Sequence, residues 1–205
     1  QELEKKIDSI NPEGEIKLDF SQQVKNPSKW SAEFPNLYDM TLELIDDNEK
    51  TLEVLQNKVG FREIEVKNQA LYINGRQIKF NGVNSHMQHP QTGHMMDEET
   101  MLKDLKLMKK FNINCVRTSH YPPNKKYLEL ADKLGVYIFD ETGDEAHATE
   151  YLSDDPDWKE QYLDRMRKMV YRDRNHPAVV IWSAGNESGW GENICAIIEE
   201  GKKID

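Results

Sequence analysis

INCVRTSHYPPNKKYLELADKLGVYIF, residues 113–139, decides the fold. Ile113–Val116 is an apolar run of strand length. Tyr127, Leu130, Ala131 and Leu134 then recur at helical spacing, and Gly135 stands where a helix stop belongs. Val136–Phe139 is a second apolar run. Two strands joined through a helix form the crossover that parallel strands need. The same alternation continues on both sides. Upstream, Phe80–Val83 reads as a strand, and Met101, Leu102, Leu105, Met108 and Phe111 form a helical stripe. Downstream, Asp155-Pro156 offers an N-cap and an N1 proline, and Trp158, Tyr162, Met166, Met169 and Val170 mark a long helix. Val179–Trp182 is a fourth strand, and Ile194, Ile197 and Ile198 mark a last helix. Four βα units predict a parallel α/β sheet. A doubly wound sheet and half of a (β/α)8 barrel share this pattern, and periodicity does not separate them.

Residues before Phe80 read as β-structure. Ile16, Leu18 and Phe20 alternate with polar neighbours, as do Tyr38, Met40, Leu42 and Leu44. Leu52, Val54, Val59, Phe61, Ile64 and Val66 predict further short strands. Asn74-Gly75 is a hairpin signal, because both residues tolerate positive φ. Four or five short strands are fewer than an immunoglobulin-like sandwich uses, so this part reads as the back portion of one. The expected division is residues 1–63 for the sandwich portion and 64–205 for the βα units.

Composition bounds the partners. The 205 residues carry 27 Lys and Arg against 37 Asp and Glu, a net charge of −10. Such a field repels phosphates, so no nucleic-acid partner is expected. No apolar run has the length of a membrane span, so no membrane partner is expected either. The start is charged and shows no export signal, which leaves the compartment open. Cys115 and Cys195 cannot make a disulfide framework, and both read as buried free thiols.

Chemically capable side chains follow every predicted strand: Asn84, His86 and His89, then Arg117, Ser119 and His120, then Asp140, Glu141, Glu145 and His147, then Asn186 and Glu187. Barrel active sites gather at the C-terminal ends of strands. Glu187 follows an apolar strand under a Trp-bearing wall, a setting for general-acid work; a helix-start carboxylate is the plainer reading. Glu145 and His147, with Glu141 nearby, suit Mg²⁺ better than structural zinc. His86, His89 and His120 read as ligands of a catalytic zinc or as donors to a polar substrate. No glycine-rich nucleotide loop occurs.

Five ordered motifs then carry a resemblance. Residues 26–38 with Gly60–Glu63, then Asn81–His86, Val116–Pro122, Arg172–Pro177 and Ile181–Ser188, resemble family 2 glycoside hydrolases, and within them the bacterial β-galactosidase branch. The resemblance implies the first half of a (β/α)8 TIM barrel preceded by part of an immunoglobulin-like β-sandwich. It implies a retaining exo-β-galactosidase with a β-galactoside substrate. Glu187 would be the general acid/base, Asn186 would bond the sugar 2-hydroxyl, and His86 and His120 would line the galactose subsite. Arg117 would support the nucleophile, and Glu145, His147 and Glu187 would share a Mg²⁺. A barrel has eight units and four are present, so the chain reads as a central excerpt whose nucleophile glutamate lies elsewhere. The excerpt is expected to be inactive alone and to self-associate through its open barrel edge, while the longer protein forms a homo-oligomer. Val83, Val116, Phe139 and Ile181 are expected on the uncovered inner face. Another family 2 activity (β-glucuronidase or β-mannosidase) and a non-catalytic carbohydrate-binding or assembly module are the alternatives.

Overall fold

Parallel pairing dominates the second two thirds of the chain. The structure, a computed structural model, describes residues 2–205. β6 (Gly82–Ser85), β7 (Cys115–Thr118), β8 (Tyr137–Glu141) and β9 (Val179–Ser183) form a four-stranded sheet in the order β6-β7-β8-β9. All three pairings are parallel. Helices α1 (Glu98–Lys110), α2 (Lys125–Leu134), α3 (Lys159–Asp173) and α4 (Glu192–Ile204) follow the four strands in turn. The predicted alternation is therefore present, although the sheet is open at β6 and β9.

Each strand runs further into polar sequence than its apolar run predicts. Ladder hydrogen bonds depend on backbone, so Arg117, Glu141 and Ser183 are strand residues. The helix boundaries follow local chemistry. Asp97 caps α1, accepting from Thr100 N at 2.7 Å. Asn124 caps α2, accepting from Lys126 N at 2.8 Å. Gly135 closes α2 at φ 72°, and its N–H reaches Ala131 O at 2.9 Å. Asp155-Pro156 opens a 3₁₀ turn, Pro156–Trp158, that leads into α3 instead of capping it directly.

Register assigns the two sheet faces. Val116 pairs with Ile138, while Arg117 pairs with Phe139 and Phe139 with Ile181. Val116 and Ile138 are fully buried in a core shared with Leu105 of α1 and with Tyr127, Leu128 and Ala131 of α2. Asp140, on the same face, lies against Arg172 and Asp173 of α3. The helices thus cover one face. The expectation that Val83 and Val116 lie on the uncovered face is wrong, because the two are register partners and alternation puts them opposite Asn84 and Arg117. Phe139 and Ile181 do lie on that face and are half-buried. Phe80 covers part of it, edge-on to Phe139 at 4.9 Å and to Tyr137 at 5.7 Å.

The first third is less regular. β1 (Tyr38–Ile45) and β2 (Thr51–Val59) pair antiparallel, and their side chains are almost all exposed. Among the described residues no second sheet faces this hairpin. Ile16, Leu18 and Phe20 are exposed and form no strand, against the expectation, because among the described residues no neighbouring strand supplies their ladder bonds. β3 (Ile64–Lys67), β4 (Ala70–Ile73) and β5 (Arg76–Gln77) form a small antiparallel sheet. The Asn74-Gly75 turn forms as predicted, with φ of 53° and 77°. Trp30 anchors this region to the βα units. It is fully buried, stacks edge-on against Tyr137 at 5.8 Å, and donates from Nε1 to Asp132 O at 2.8 Å. Arg62 adds bonds to Pro177 O at 2.8 Å and Val179 O at 2.6 Å. Cys115 is buried, which pushes its thiol up to about 12, whereas Cys195 is exposed, so only the first matches the buried-thiol reading.

Candidate active site

The C-terminal ends of β7, β8 and β9 bring one buried carboxylate together with three donors. Glu141 closes β8 and has no solvent exposure. Arg117 Nε donates to its Oε2 at 2.6 Å and Arg117 Nη2 to its Oε1 at 2.9 Å. His120 Nδ1 lies 2.6 Å from Oε1, and Ser183 Oγ donates to Oε2 at 2.6 Å. Alternation explains the meeting. Arg117 and Phe139 are register partners, and Glu141 is two residues past Phe139 on the same face. Glu141 stood in the sequence only as a nearby carboxylate, and Ser183 was not singled out. The Asp-Glu ending of β8 was the available signal, but the partner of Glu141 depends on register.

Asn186 joins this cluster. Arg117 Nη2 donates to Asn186 Oδ1 at 2.9 Å, and Asn186 Nδ2 donates to Glu145 Oε1 at 3.2 Å. The loop after β9 is tied to the loop after β8 through the backbone: Asn186 N–H bonds Asp144 O at 2.7 Å. Gly185 makes the approach possible, since its φ is 147° and a Cβ there would lie 2.8 Å from Asp144 O. Burial pushes the Asp144 carboxyl above the usual range, opposed by hydrogen bonding from Ser188. Glu187 follows in a left-handed conformation at φ 48°, uncommon for a side-chain-bearing residue. Its carboxylate meets His147 Nδ1 at 3.0 Å and is 65% exposed. The Trp-bearing wall expected over it is not there. Trp182 points to the opposite sheet face, packs among α3 and α4, and donates from Nε1 to Asp205 Oδ2 at 2.9 Å.

The histidines separate by role. His86 and His120 lie edge to face with ring centres 5.3 Å apart, and Tyr121 is 6.0 Å from His86. His89 is outside this group. Its Nδ1 accepts from Gln91 N and Thr92 N at 3.2 Å, which makes it a turn residue. His94, not singled out from sequence, packs edge-on against Tyr121 at 5.5 Å.

Glu145, His147 and Glu187 are adjacent, yet they do not converge on a point. His147 Nε2 faces Glu145 at 3.3 Å while Nδ1 faces Glu187 at 3.0 Å, so the carboxylates sit on different sides of the ring. Among the described residues no three His, Cys, Asp or Glu side chains form a metal-holding group. The donor types suit a hard cation, but the arrangement does not fit one.

Comparison with known proteins gives this geometry a family. The description "Glycosyl hydrolases family 2, TIM barrel domain" matches residues 64–205, and "Glycosyl hydrolases family 2" matches residues 1–62. A β-galactosidase of Vibrio vulnificus (strain YJ016) is 44% identical over 185 residues, which are 89% of this chain and 18% of that protein. A β-galactosidase of Leuconostoc mesenteroides is 41% identical over 196 residues, 94% of this chain and 19% of that protein. Among solved structures, a β-glucuronidase of Ruminococcus gnavus in complex with D-glucuronic acid superposes with a TM-score of 0.80 at 26% identity, covering 89% of this chain and 32% of that one. A β-glycosidase of Bacteroides vulgatus superposes with a TM-score of 0.77 at 29% identity, covering 89% and 24%. The chain therefore spans about a fifth of the length of its β-galactosidase relatives. With both family descriptions matched in order along it, the chain belongs to glycosyl hydrolase family 2.

Proposed function

We propose that this chain supplies the acid/base side of a retaining β-galactosidase site. The carrying observation is the hydrogen bond from Arg117, clustered with Glu141 and His120, to Asn186, the residue before Glu187 in the loop after β9. Glu187 protonates the glycosidic oxygen as the bond breaks, then takes a proton from the water that opens the galactosyl-enzyme. Its exposure on the open side of the sheet leaves it free to reach a leaving group. Asn186 Nδ2 spends one N–H on Glu145 and has a second for the sugar 2-hydroxyl. His86 and His120 line the galactose subsite. Arg117 keeps Nη1 for the carboxylate of the nucleophile, a glutamate contributed from outside residues 1–205. The β1–β2 hairpin belongs, in this reading, to an immunoglobulin-like sandwich. No step passes through Mg²⁺, since Glu145, His147 and Glu187 do not fit one as they stand.

The β-glucuronidase superpositions favour a second substrate class within the family. Identity favours galactosides, at 44% against 26%. Turnover of aryl galactosides and aryl glucuronides by a polypeptide of full family length carrying this chain separates the two. In that protein Glu187→Gln tests the central role. Turnover of poor leaving groups falls by about 10²- to 10⁴-fold. Activated aryl galactosides lose less in the first step, and azide restores part of the second. Equal loss on both substrate types without azide rescue removes Glu187 from the acid/base role.

A further inference from the structure

We infer that Glu141 is a positioning residue that fixes His120 as a hydrogen-bond acceptor toward the sugar and sets the free donors of Arg117 and Asn186. The inference rests on the glycosidase reading above. A carboxylate only accepts, at about four lone-pair sites. Glu141 has four contacts: His120 Nδ1 and Arg117 Nη2 on Oε1, and Arg117 Nε and Ser183 Oγ on Oε2. The carboxylate is therefore saturated, and it is fully buried.

Three consequences follow from that saturation. His120 must carry a hydrogen on Nδ1, so its ring, when neutral, presents a lone pair at Nε2. Nε2 makes no hydrogen bond among the described residues, and the side chain keeps 16% exposure. In that form it is an acceptor for a sugar hydroxyl hydrogen. Arg117 spends Nε and Nη2 on Glu141 and Asn186, so the two N–H bonds of Nη1 are its uncommitted donors. Asn186 accepts from Arg117 through Oδ1, which orients its amide and turns Nδ2 outward toward Glu145. One buried carboxylate in this way sets the donor and acceptor pattern of three groups.

Glutamine cannot replace it. Both carboxylate oxygens accept from Arg117, so an amide turned either way sets its NH₂ against an Arg117 N–H. The experiment uses the full-length protein and D-galactose binding by calorimetry. Glu141→Gln, His120→Ala and the double variant form a cycle, with a crystal structure of Glu141→Gln. Glu141→Gln is expected to weaken galactose at least ten-fold, and the double variant to be within two-fold of the weaker single. In the crystal, Arg117 or His120 leaves its present contact. Glu141→Asp keeps the charge but retracts it by one methylene, and gives the same non-additive pattern if the glutamine variant does not fold. Multiplicative losses, or a Glu141→Gln structure with Arg117 and His120 unmoved, overturn the inference. If the unaltered protein does not bind galactose, the glycosidase reading fails, and the variant's crystal structure alone decides the positioning claim.

Discussion

Asp140 and Glu141 are neighbours on β8 and face opposite ways, with opposite consequences. Glu141 is saturated with donors, whereas neither oxygen of Asp140 has a donor among the described residues. The group facing Asp140 is Asp173, which is already committed to Arg172 at 2.7 and 2.6 Å. Two buried carboxyls in contact share a proton, and the one without a cation keeps it. Burial first, then Asp173, pushes the Asp140 carboxyl well above the usual range. The unfolded chain returns it to about 3.9. The folded state therefore binds this proton more tightly. Its contribution to stability is complete below about pH 4 and is lost as pH rises through the folded value. Asp140→Asn supplies a permanent donor to Asp173. Its thermal midpoint should fall less than that of the unaltered protein between pH 4 and pH 8. Parallel melting curves across that range would place the proton elsewhere.

At the scale of elements, the end of α2 is a junction between the two parts of the chain. Gly135 adopts φ 72°, and a Cβ there would lie 2.3 Å from Ala32 O. Lys109 Nζ, from the end of α1, donates to both Ala32 O at 3.0 Å and Gly135 O at 2.8 Å. An alanine at 135 meets two obstacles, the left-handed backbone and a carbonyl in its space. The backbone alone makes a compatible-site gain of about 0.4–1 kcal/mol turn into a larger loss. Gly135→Ala should lower unfolding stability by more than about 1 kcal/mol in a denaturant titration. A variant of unchanged midpoint and slope would show that residues 30–35 move aside without cost. The sequence made Gly135 legible as a helix stop. It gave no sign that Ala32, a hundred residues upstream in the chain's order, would press on it.

For the whole molecule, the decisive feature is a sheet covered by helices on one face and open at β6 and β9. Val83 on the edge strand is 36% exposed, and Phe139 and Ile181 are only half-buried. Open strand edges and under-covered apolar side chains favour self-association. The 205-residue chain alone is expected to bind a hydrophobic dye and to sediment as more than a monomer. It is also expected not to hydrolyse β-galactosides. Retention needs a second carboxyl group about 5 Å from the acid, on the other face of the sugar, and among the described residues no second sheet half faces the open side. A fluorogenic galactoside assayed with the chain and with its Glu187→Ala variant tests this. Turnover that disappears in the variant would mean that the chain holds its own nucleophile.

Local rules acting over a few residues were enough for the sequence to determine the four βα units, the helix stop at Gly135, the Asn74-Gly75 hairpin and the crowding of polar residues after each strand. Spacing also brought Asn186 and Glu187 to the end of β9. Pairing register and long-range packing belonged to the tertiary structure alone. Register put Val116 under the helices and Glu141 beside Arg117, because one residue of slip exchanges the two faces of a strand. Packing decided that Trp182 turns away from Glu187, that His147 lies between two carboxylates, and that Ile16, Leu18 and Phe20 form no strand. An alternating pattern marks a capacity to pair, but a strand exists only where another backbone supplies the other half of the ladder.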